Sequence, residues 1–367
     1  MRILVIVTNG LKREGIATTQ LEYFRLMDKT DMIVDIASVR EYQTEVIEEF
    51  ESYGCNVIEF PNREKHVAGY IKRLWKVLHE NKYDILHIHG SSCLMAMDLY
   101  LAKKAHVKVR IAHSRNTRCD HKVINILLRP LFNRSYNVAF SCGEDAGKWL
   151  FKDAPYTVIH NGKDLEKFRF SENKRKEMRD KFNLNGSFAV GFVGNLKEQK
   201  NPFFLLDVFK SIYENNSNAR FFIMGDGNMR HSLEMKSAEL GIQEVTLFMG
   251  RISNVNEMLQ AMDLMLLPSK WEGLPNVVLE WQSCGLPCII SDVITWECKV
   301  SDLVNYKSIE DSPEEWAKAA LELGCSKTRK TNSDICRQRL MDEGFDLKKN
   351  VVDLRNTYFS LTASDLS

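Results

Sequence analysis

Strand-like and helix-like hydrophobic patterns alternate along this chain, and the alternation restarts once. Short apolar runs such as Arg2–Val7 ("RILVIV") have the continuous hydrophobicity of strands buried on both faces. Helical patterns with one apolar face follow these runs, for example over 66–84, where Leu74 and Leu78 share a side. This order predicts an α/β fold with parallel sheets covered by helices.

A charged stretch, Lys163 to Gly186, separates the two alternating patterns. The chain has 367 residues, which is more than one hydrophobic core usually supports. We therefore predict one Rossmann-like domain over residues 1–165 and a second over 166–346. Open parallel sheets bind ligands beyond the carboxyl ends of their strands, so those ends are the expected functional region.

Charge and cysteine content exclude several classes of function. The 50 Lys and Arg residues nearly cancel the 49 Asp and Glu residues, so electrostatics gives no case for a nucleic-acid partner. The nine cysteines include no CxxC pair, so we expect reduced thiols and no metal site. No signal-peptide pattern and no apolar run of about 18 residues occurs, which predicts a cytoplasmic protein without a transmembrane helix.

The stretch 269–292, "SKWEGLPNVVLEWQSCGLPCIISD", places two carboxylates, Glu272 and Glu280, around the start of a short helix. The helix is predicted to begin near Asn276 and to be capped by Gly285 in the left-handed conformation. The backbone at a helix start already attracts anions, so acidic side chains there require a reason.

The predicted helix start favours a phosphate. We expect the backbone N–H groups from Gly273 to Val278 to face it, with Pro275 at the first helical position or its edge. Like charges repel, so the glutamates should instead accept hydrogen bonds from hydroxyl groups. Glu280 would hold a ribose diol, and Glu272 would reach the group beyond the phosphates. These features indicate a nucleotide-sugar site; the alternative is that both carboxylates are merely solvated.

Further polar side chains follow strand-like runs. A diphosphate needs cations, and Lys200 and Arg251 are the candidates. The alternative for each is that it is an ordinary exposed side chain that binds no ligand. His113 ends the run "VRIAHS", where it could bond to a sugar hydroxyl or a phosphate. His87 and His89 are assigned to packing or to the wall of the cleft, because no third metal ligand has suitable spacing.

Three other motifs are missing. Gly143–Lys148 falls one residue short of a P-loop. No GxGxxG follows the first strand, which disfavours a nicotinamide oxidoreductase, and no GxSxG occurs, which disfavours a serine hydrolase.

Several motifs, in order, resemble one family. "EGLPNVVLE" is similar to the E-x7-E motif of retaining GT-B glycosyltransferases of family 4. "HIHGSSCLMAM", "VIHNGKDLEKF", "VGNLKEQKNPFFLLDVF" and "IMGDGNMR" resemble the bacterial branch that builds capsular polysaccharides and exopolysaccharides. The resemblance covers nearly the whole chain. It implies two Rossmann-like domains facing a cleft, with a last helix, about 347–367, that returns to the N-terminal domain.

The resemblance also implies an activity. A hexose would be transferred, with retained anomeric configuration, from a nucleoside-diphosphate sugar, expected to be a UDP-sugar. The acceptor, a glycan or a lipid-linked oligosaccharide, would bind the N-terminal domain, and the donor would bind the C-terminal domain. No metal and no cofactor besides the nucleotide sugar is implied, and the place of action would be the cytoplasm or the inner face of the membrane.

Residue roles follow from the same resemblance. Glu272, His113 and Lys200 would act on the donor sugar and its diphosphate. Glu280 would hold the ribose, and Gly15 would mark the acceptor side, where its lack of a side chain allows close approach. The other members of the implied donor site are Gly194, Asn195, Arg251, Gly273, Leu274, Pro275 and Asn276.

Two positions depart from the family pattern. Asn195 stands where an arginine usually joins the lysine on the diphosphate, so one cation is missing and Arg251 is its candidate replacement. A charge-assisted contact contributes about 1.5–3 kcal/mol, so weaker donor binding is the expected consequence. Glu14 precedes Gly15 where the family commonly has two glycines, which changes the acceptor side.

The segment 121–134, "HKVINILLRPLFNR", sets Lys122, Arg129 and Arg134 beside apolar residues. It is a candidate for an interfacial membrane helix, and the alternative is a packed helix broken by Pro130.

Two other functions stay open at the level of sequence. A non-hydrolysing sugar-nucleotide epimerase would need no acceptor. A non-catalytic protein would bind the nucleotide sugar without turnover, which the loss of the usual arginine at Asn195 makes conceivable.

Overall fold

The computed structural model describes residues 1–13, 15–119, 121–324 and 328–364. They form two compact α/β units. The first consists of Met1–Gly162 together with the segment from Gly344 onward, and the second is Lys163–Glu343. The last three residues of the predicted final helix, 365–367, lie outside the described residues.

Each unit contains one sheet of parallel strands. The strands, numbered in chain order, are β1 Arg2–Val7, β2 Ile33–Ser38, β3 Asn56–Val57, β4 Ile85–Gly90, β5 Val109–Ser114, β6 Val138–Ser141, β7 Thr157–Val158, β8 Phe188–Val193, β9 Ala219–Met224, β10 Thr246–Gly250, β11 Leu264–Leu267, β12 Cys288–Ser291 and β13 Val304–Lys307. The orders are β3-β2-β1-β4-β5-β6-β7 and β10-β9-β8-β11-β12-β13. In both, the strand order reverses beside the unit's first strand, as in Rossmann-like folds.

Helices connect the strands and cover the sheets. They are α1 Gly15–Leu26, α2 Thr44–Ser52, α3 Val67–Asn81, α4 Ala96–Lys104, α5 Lys122–Asn133, α6 Glu144–Phe151, α7 Glu172–Lys181, α8 Pro202–Asn215, α9 Arg230–Glu239, α10 Val255–Ala261, α11 Asn276–Ser283, α12 Pro313–Leu323, α13 Arg329–Asp342 and α14 Leu347–Ala363. This alternation confirms the predicted α/β class with two Rossmann-like units.

Both faces of the first sheet are buried. Ile3, Val5 and Val7 of β1 point into one core, and Leu4 and Ile6 point into the other, as the period of two in a strand requires. The last helix, α14, contributes to the first of these cores, with Leu347, Val351, Leu354 and Tyr358. It therefore belongs to the packing of the first unit.

Several elements differ from the sequence prediction. Helices α2 and α6 and strands β7 and β13 were not predicted, and strand β3 has only two residues, Asn56–Val57. Helix α2 buries only Val46 and Phe50, which gives a weak periodic signal. Pro130 does not break α5, because the helix continues past it to Asn133.

Candidate functional site

Lys200 and Glu272 form an ion pair in the second unit. Lys200 ends a short 3-10 helix after β8, and Glu272 lies in the loop after β11. The Lys200 ammonium bonds Glu272 Oε1, and the two side chains are only 16% and 9% exposed. Strands β8 and β11 are neighbours, so their carboxyl ends meet at one sheet edge. The fold thus brings the predicted diphosphate cation to the predicted sugar-binding carboxylate.

Two residues that sequence reasoning missed hold the Glu272 carboxylate. Ser269 Oγ donates to Oε1 at 2.7 Å. Gln199 Nε2 donates to the Trp271 carbonyl at 2.9 Å and lies 3.4 Å from Oε2. Within the described ranges Oε2 has this one long contact, so it is the oxygen most available to a ligand hydroxyl. The sequence signal for Ser269 was its place just beyond a buried strand.

Glu280, in helix α11, faces a buried lysine. Lys163 Nζ lies 3.3 Å from Glu280 Oε1, and the side chains are 4% and 13% exposed. Lysines are rarely buried unless a carboxylate compensates their charge. The sequence analysis assigned no role to Lys163, although it stands inside the motif "VIHNGKDLEKF". Neither glutamate is solvated, so the alternative of two exposed carboxylates is wrong.

Helix α11 begins at Asn276, as predicted, with Pro275 as its N-cap and Gly285 beyond its end at φ +66°. The N–H of Val278 donates to the Pro275 carbonyl at 3.0 Å, so its assignment to the anion site is wrong. Between Gly273 and Val278, the backbone N–H groups of Gly273, Leu274, Asn276 and Val277 have no hydrogen-bond partner among the described residues. These groups carry positive partial charge and suit an anion.

Asn276 adds a polar side-chain atom at the same place. Its Oδ1 is buried and has no hydrogen-bond partner among the residues described. A buried acceptor of this kind is satisfied by a donor such as a ligand hydroxyl. The helix start therefore offers donors to a phosphate and one acceptor to a hydroxyl group.

The carboxyl ends of β8 and β9 approach so closely that they require glycine. Gly225 has φ +154°, and a Cβ on it would lie 1.8 Å from the Gly194 carbonyl oxygen. A Cβ on Gly194 would lie 3.4 Å from Lys200 Cε and 3.0 Å from Phe192 Cζ. Gly225 therefore allows the close approach of the two strand ends, and Gly194 lies beside the Lys200 side chain.

Asn195 and Arg251 follow β8 and β10. Asn195 is half-buried and its carbonyl accepts from the Lys197 N–H at 2.9 Å, whereas Arg251 is exposed. That Arg251 replaces the missing family arginine stays a prediction.

Three imidazoles meet near the carboxyl edge of the first sheet. His87 and His89 lie on β4, His113 lies on β5, and each is at most 1% exposed. His87 Nε2 is 3.0 Å from His113 Nδ1, and all three rings offer nitrogens within 4.8 Å of one another. The sequence argument that no third possible metal ligand lies near His87 and His89 was wrong. The parallel register of β4 and β5 sets His113 opposite His89.

Arg115 fixes the proton of His89. Arg115 Nε lies 3.0 Å, and Nη2 2.9 Å, from His89 Nδ1. A guanidinium can only donate, so Nδ1 accepts and the proton of the neutral ring is on Nε2. His89 Nε2 is buried and has no partner in the described chain, so it is an unused N–H donor.

The hydrogen bond from Tyr358 determines which nitrogen carries the proton in His87 and in His113. Its Oη lies 2.7 Å from His87 Nδ1, and the path continues from His87 Nε2 to His113 Nδ1. When the tyrosine donates, the proton of His113 is on Nε2. The reverse order would leave a buried phenol proton without an acceptor, which costs about 1 kcal/mol or more. We therefore assign an N–H to His113 Nε2, which is buried and unpartnered among the described residues.

The imidazole cluster is poorly suited to a metal ion. Burial, together with the nearby Arg115 cation, lowers the pKa values of His87, His89 and His113 well below the ordinary value, so the rings are neutral. His89 and His113 nevertheless present N–H groups rather than lone pairs, and a metal needs lone pairs. The Arg115 charge also opposes a second cation.

Gly15 begins helix α1, with φ +40° and no atom within 4 Å of the place of a Cβ. Thr19 lies inside the helix, and its Oγ1 donates back to the Gly15 carbonyl at 3.2 Å. Glu14 lies outside the described residues, so its effect on the acceptor side stays a prediction.

Helix α5 presents apolar side chains outward. Val123, Ile126 and Leu127 are 70%, 68% and 72% exposed. Asn125 points inward, where its Oδ1 accepts at 2.7 Å from a backbone N–H of the 3-10 helix after β4. Among the helices described, none combines the length and hydrophobicity needed to cross a membrane.

Two protein-family models match this sequence, one in each unit. The model described as "Glycosyl transferases group 1" matches residues 174–323. The model described as "Glycosyltransferase Family 4" matches residues 15–167.

Named relatives extend over most of the chain. The putative glycosyltransferase EpsF of Bacillus subtilis is 27% identical, over 98% of this chain and 97% of that protein. The UDP-Gal:alpha-D-GlcNAc-diphosphoundecaprenol alpha-1,3-galactosyltransferase of Escherichia coli is 29% identical, over 79% of each chain.

Solved structures with the same fold include HepE of Anabaena in complex with UDP. It has a TM-score of 0.79 at 16% identity, over 98% of this chain and 100% of that chain. WaaG, a glycosyltransferase involved in lipopolysaccharide biosynthesis, has a TM-score of 0.71 at 15% identity, over 96% of this chain and 99% of that chain. At such identities the likeness shows the fold alone.

Proposed function

Because this chain belongs to the group 1 glycosyltransferases of family 4 and has their GT-B fold, we propose that it is a retaining enzyme. It transfers a sugar from a UDP-sugar to a glycan or lipid-linked acceptor in the synthesis of a surface polysaccharide. The observation that carries this proposal is the buried pair of Lys200 and Glu272, in the loop that leads into helix α11.

The choice of donor and acceptor is supported by the named proteins. The Escherichia coli relative takes UDP-Gal and a diphosphoundecaprenol-linked sugar by its name, and HepE was solved with UDP. The class of donor, a UDP-sugar, and the class of acceptor, a lipid-linked glycan, are carried to this chain as part of the proposal.

The leaving diphosphate is stabilised by Lys200 and by the start of α11. As the bond from the sugar to the diphosphate breaks, negative charge grows on the phosphate oxygens, and fixed N–H donors and an ammonium group lower that cost. An ammonium has three N–H groups, so Lys200 can keep its bond to Glu272 while it binds a phosphate oxygen. This arrangement requires no metal.

The carboxylates bind hydroxyl groups. Glu272 Oε2, which has one long protein contact among the described residues, accepts from a donor-sugar hydroxyl. Glu280 accepts from the ribose, and its ion pair with Lys163 holds the carboxylate in place. A contact of His113 with the donor sugar rests on the family resemblance.

The chemical step keeps the configuration at the anomeric carbon. The acceptor hydroxyl attacks on the face that the diphosphate leaves, and a diphosphate oxygen takes the hydroxyl proton. The bond between the anomeric carbon and the phosphate oxygen breaks while the bond to the acceptor oxygen forms. No protein nucleophile is assigned to this step.

Helix α5 contacts an anionic membrane surface in this proposal. Its exposed apolar face would enter the headgroup region, with Lys122 and Arg134 exposed beside it. Arg129, which the sequence analysis grouped with them, donates to the Leu150 carbonyl at 2.8 Å and is half-buried. The enzyme would encounter its lipid-linked acceptor at this membrane surface.

The test is transfer by site variants. Lys200→Ala, Glu272→Ala and Glu280→Ala should each slow transfer at least about tenfold, or roughly 1.4 kcal/mol. Lys270→Ala is the control, since Lys270 lies in the same loop but forms an exposed pair with Glu198 at 3.1 Å. Wild-type rates in all three site variants, or a product of inverted configuration, would contradict the proposal.

The same assay separates the other functions. Isomerised nucleotide sugar in the absence of any acceptor would identify an epimerase. UDP-sugar binding without turnover on any acceptor would identify a non-catalytic binding protein.

A further inference from the structure

We propose that Arg115 binds an oxyanion, a phosphate or carboxylate group carried by the glycan acceptor, in the first unit. The identity of the ligand as an acceptor rests on the proposed function. The existence of the anion site rests on the geometry around Arg115.

Arg115 is a partly buried cation without a carboxylate partner in the described ranges, 1–13, 15–119, 121–324 and 328–364. Its Nε and Nη2 donate to His89 Nδ1, and its Nη1 donates to Asn161 Oδ1. The titratable groups that act on its pKa, besides burial, are one thiol and two phenols, all neutral near pH 7. Burying a charge among neutral groups is unfavourable unless something compensates it.

Other arginines of this chain show how such a charge is usually compensated. Arginines that pair with a carboxylate include Arg2, Arg63, Arg175, Arg179 and Arg337. Arg329 donates to four backbone carbonyls, those of Leu259, Gln260, Met262 and Cys284. Among the residues that the structure describes, Arg115 side-chain N–H groups pair with neither a carboxylate nor a backbone carbonyl.

The described surroundings of Arg115 supply N–H donors. His89 accepts from Arg115 through Nδ1, and its Nε2 proton is buried without a partner in the described chain. Of the five N–H groups of a guanidinium, three are used, so two remain. A guanidinium with two unused N–H groups is complementary to an oxyanion and not to a cation.

The position of Arg115 fits an acceptor group. Arg115 directly follows β5, at the carboxyl edge where parallel sheets bind ligands. The same connection continues into α5, the helix with the exposed apolar face. A charged group of a lipid-linked glycan would therefore bind on the segment that also carries the proposed membrane contact.

The test uses the full chain labelled with ¹⁵N in histidine and arginine, so that binding is observed at Arg115 itself by NMR. A residue-specific signal is needed because inorganic phosphate can also bind the donor site. Three probes are added separately: inorganic phosphate, methyl glucuronide and the neutral methyl glucoside. We expect phosphate or the glucuronide, but not the glucoside, to shift the Arg115 Nε–H signal. Whichever anion acts identifies the group as phosphate or carboxylate.

Variants separate the site from a general effect. Arg115→Gln should weaken the response at the His89 and His113 side-chain signals at least tenfold, and Arg115→Lys should retain part of it. Arg110→Gln is the matched control, since Arg110 lies at the other end of β5 and bonds the Ser135 carbonyl at 2.8 Å. The control should respond like the wild type.

A lack of response to both anions, or an unchanged response in Arg115→Gln, overturns the inference. Transfer measured in parallel keeps the two proposals apart. Transfer that depends on Glu272 without any anion response defeats the Arg115 site alone. An Arg115-dependent anion response in a protein with no transfer activity supports the anion site and defeats the proposed function alone.

Discussion

Lys163 Nζ lies 3.3 Å from Glu280 Oε1, and the two side chains are 4% and 13% exposed. A buried pair costs desolvation when it forms, but loss of one partner costs more, because the other charge stays buried. The residue proposed to hold the ribose is therefore supported by a lysine that has little contact with water.

Lys163→Met should lower the free energy of unfolding by about 3 kcal/mol, because Glu280 loses the charge beside it. The double variant Lys163→Met/Glu280→Gln should recover at least about 1 kcal/mol of that loss, which gives the coupling energy of the pair. Urea denaturation measures both values.

The control for this cycle is an exposed pair. Lys76 Nζ lies 3.6 Å from Glu80 Oε1, with side chains 62% and 55% exposed. Lys76→Met should change stability by less than about 0.5 kcal/mol. A Lys163→Met protein as stable as the Lys76→Met protein would refute the buried pair.

Glu272→Gln should separate binding from transfer. The substitution removes the carboxylate that pairs with Lys200, so Lys200 is freer to bind phosphate and the affinity for UDP should stay the same or rise. Transfer should fall at least about tenfold, because the amide accepts more weakly from the sugar hydroxyl. Lys200→Ala should instead weaken UDP binding by about tenfold, measured by calorimetry. Equal losses of UDP affinity in both variants would contradict these roles.

The sequence predicted the strand ends, the helix start at Asn276 and the two glutamates, because these follow from local periods and capping signals. It did not predict the partners of these residues. Lys163 meets Glu280 through a long-range contact that local patterns do not encode, whereas Ser269 lies only three residues before Glu272 and its contact is local. His113 joins His89 because β4 and β5 are neighbours in a particular register. Period two gives the face on which a side chain lies, but strand order and register decide what it contacts.

Gly225→Ala should be strongly destabilising and should disturb Lys200. The new Cβ would lie 1.8 Å from the Gly194 carbonyl oxygen, a backbone atom that can move only if β8 and β9 separate. We expect a loss of at least about 3 kcal/mol, from the positive φ and the clash together. Gly186→Ala is the control, because it has φ +75° with no atom within 4 Å of the Cβ, and it should cost about 1–2 kcal/mol. Thermal or urea unfolding measures both variants. Equal losses of stability in Gly225→Ala and Gly186→Ala would show that the backbone relaxes around the new Cβ at Gly225 at no cost.

Acid should destabilise the first unit before carboxylates titrate. Burial lowers the pKa values of His87, His89 and His113 in the folded state, and their neighbours Arg115 and Tyr358 bring no negative charge. The unfolded chain therefore binds protons that the folded chain does not, and stability present above about pH 6.5 is lost as the pH falls below it. Each histidine contributes up to about 1.4 kcal/mol per pH unit. Urea denaturation between pH 7.5 and about 5 measures the slope, and His89→Gln should reduce it by about a third. A slope that does not change in His89→Gln would show that this ring is protonated in the folded protein.

The outer face of helix α5 should bind the enzyme to anionic membranes. Val123, Ile126 and Leu127 are each about 70% exposed, and burying such side chains contributes about 1.5–3 kcal/mol apiece. Replacing all three with serine should abolish co-flotation with anionic liposomes at low salt. Transfer to a lipid-linked acceptor should fall, while transfer to a short water-soluble acceptor should not. Val352→Ser is the matched control, because Val352 is 55% exposed on α14 of the same unit, and it should float like the wild type. If the wild type does not float at low salt, α5 is an exposed helix with another partner, and the apolar face plays no part in finding the lipid.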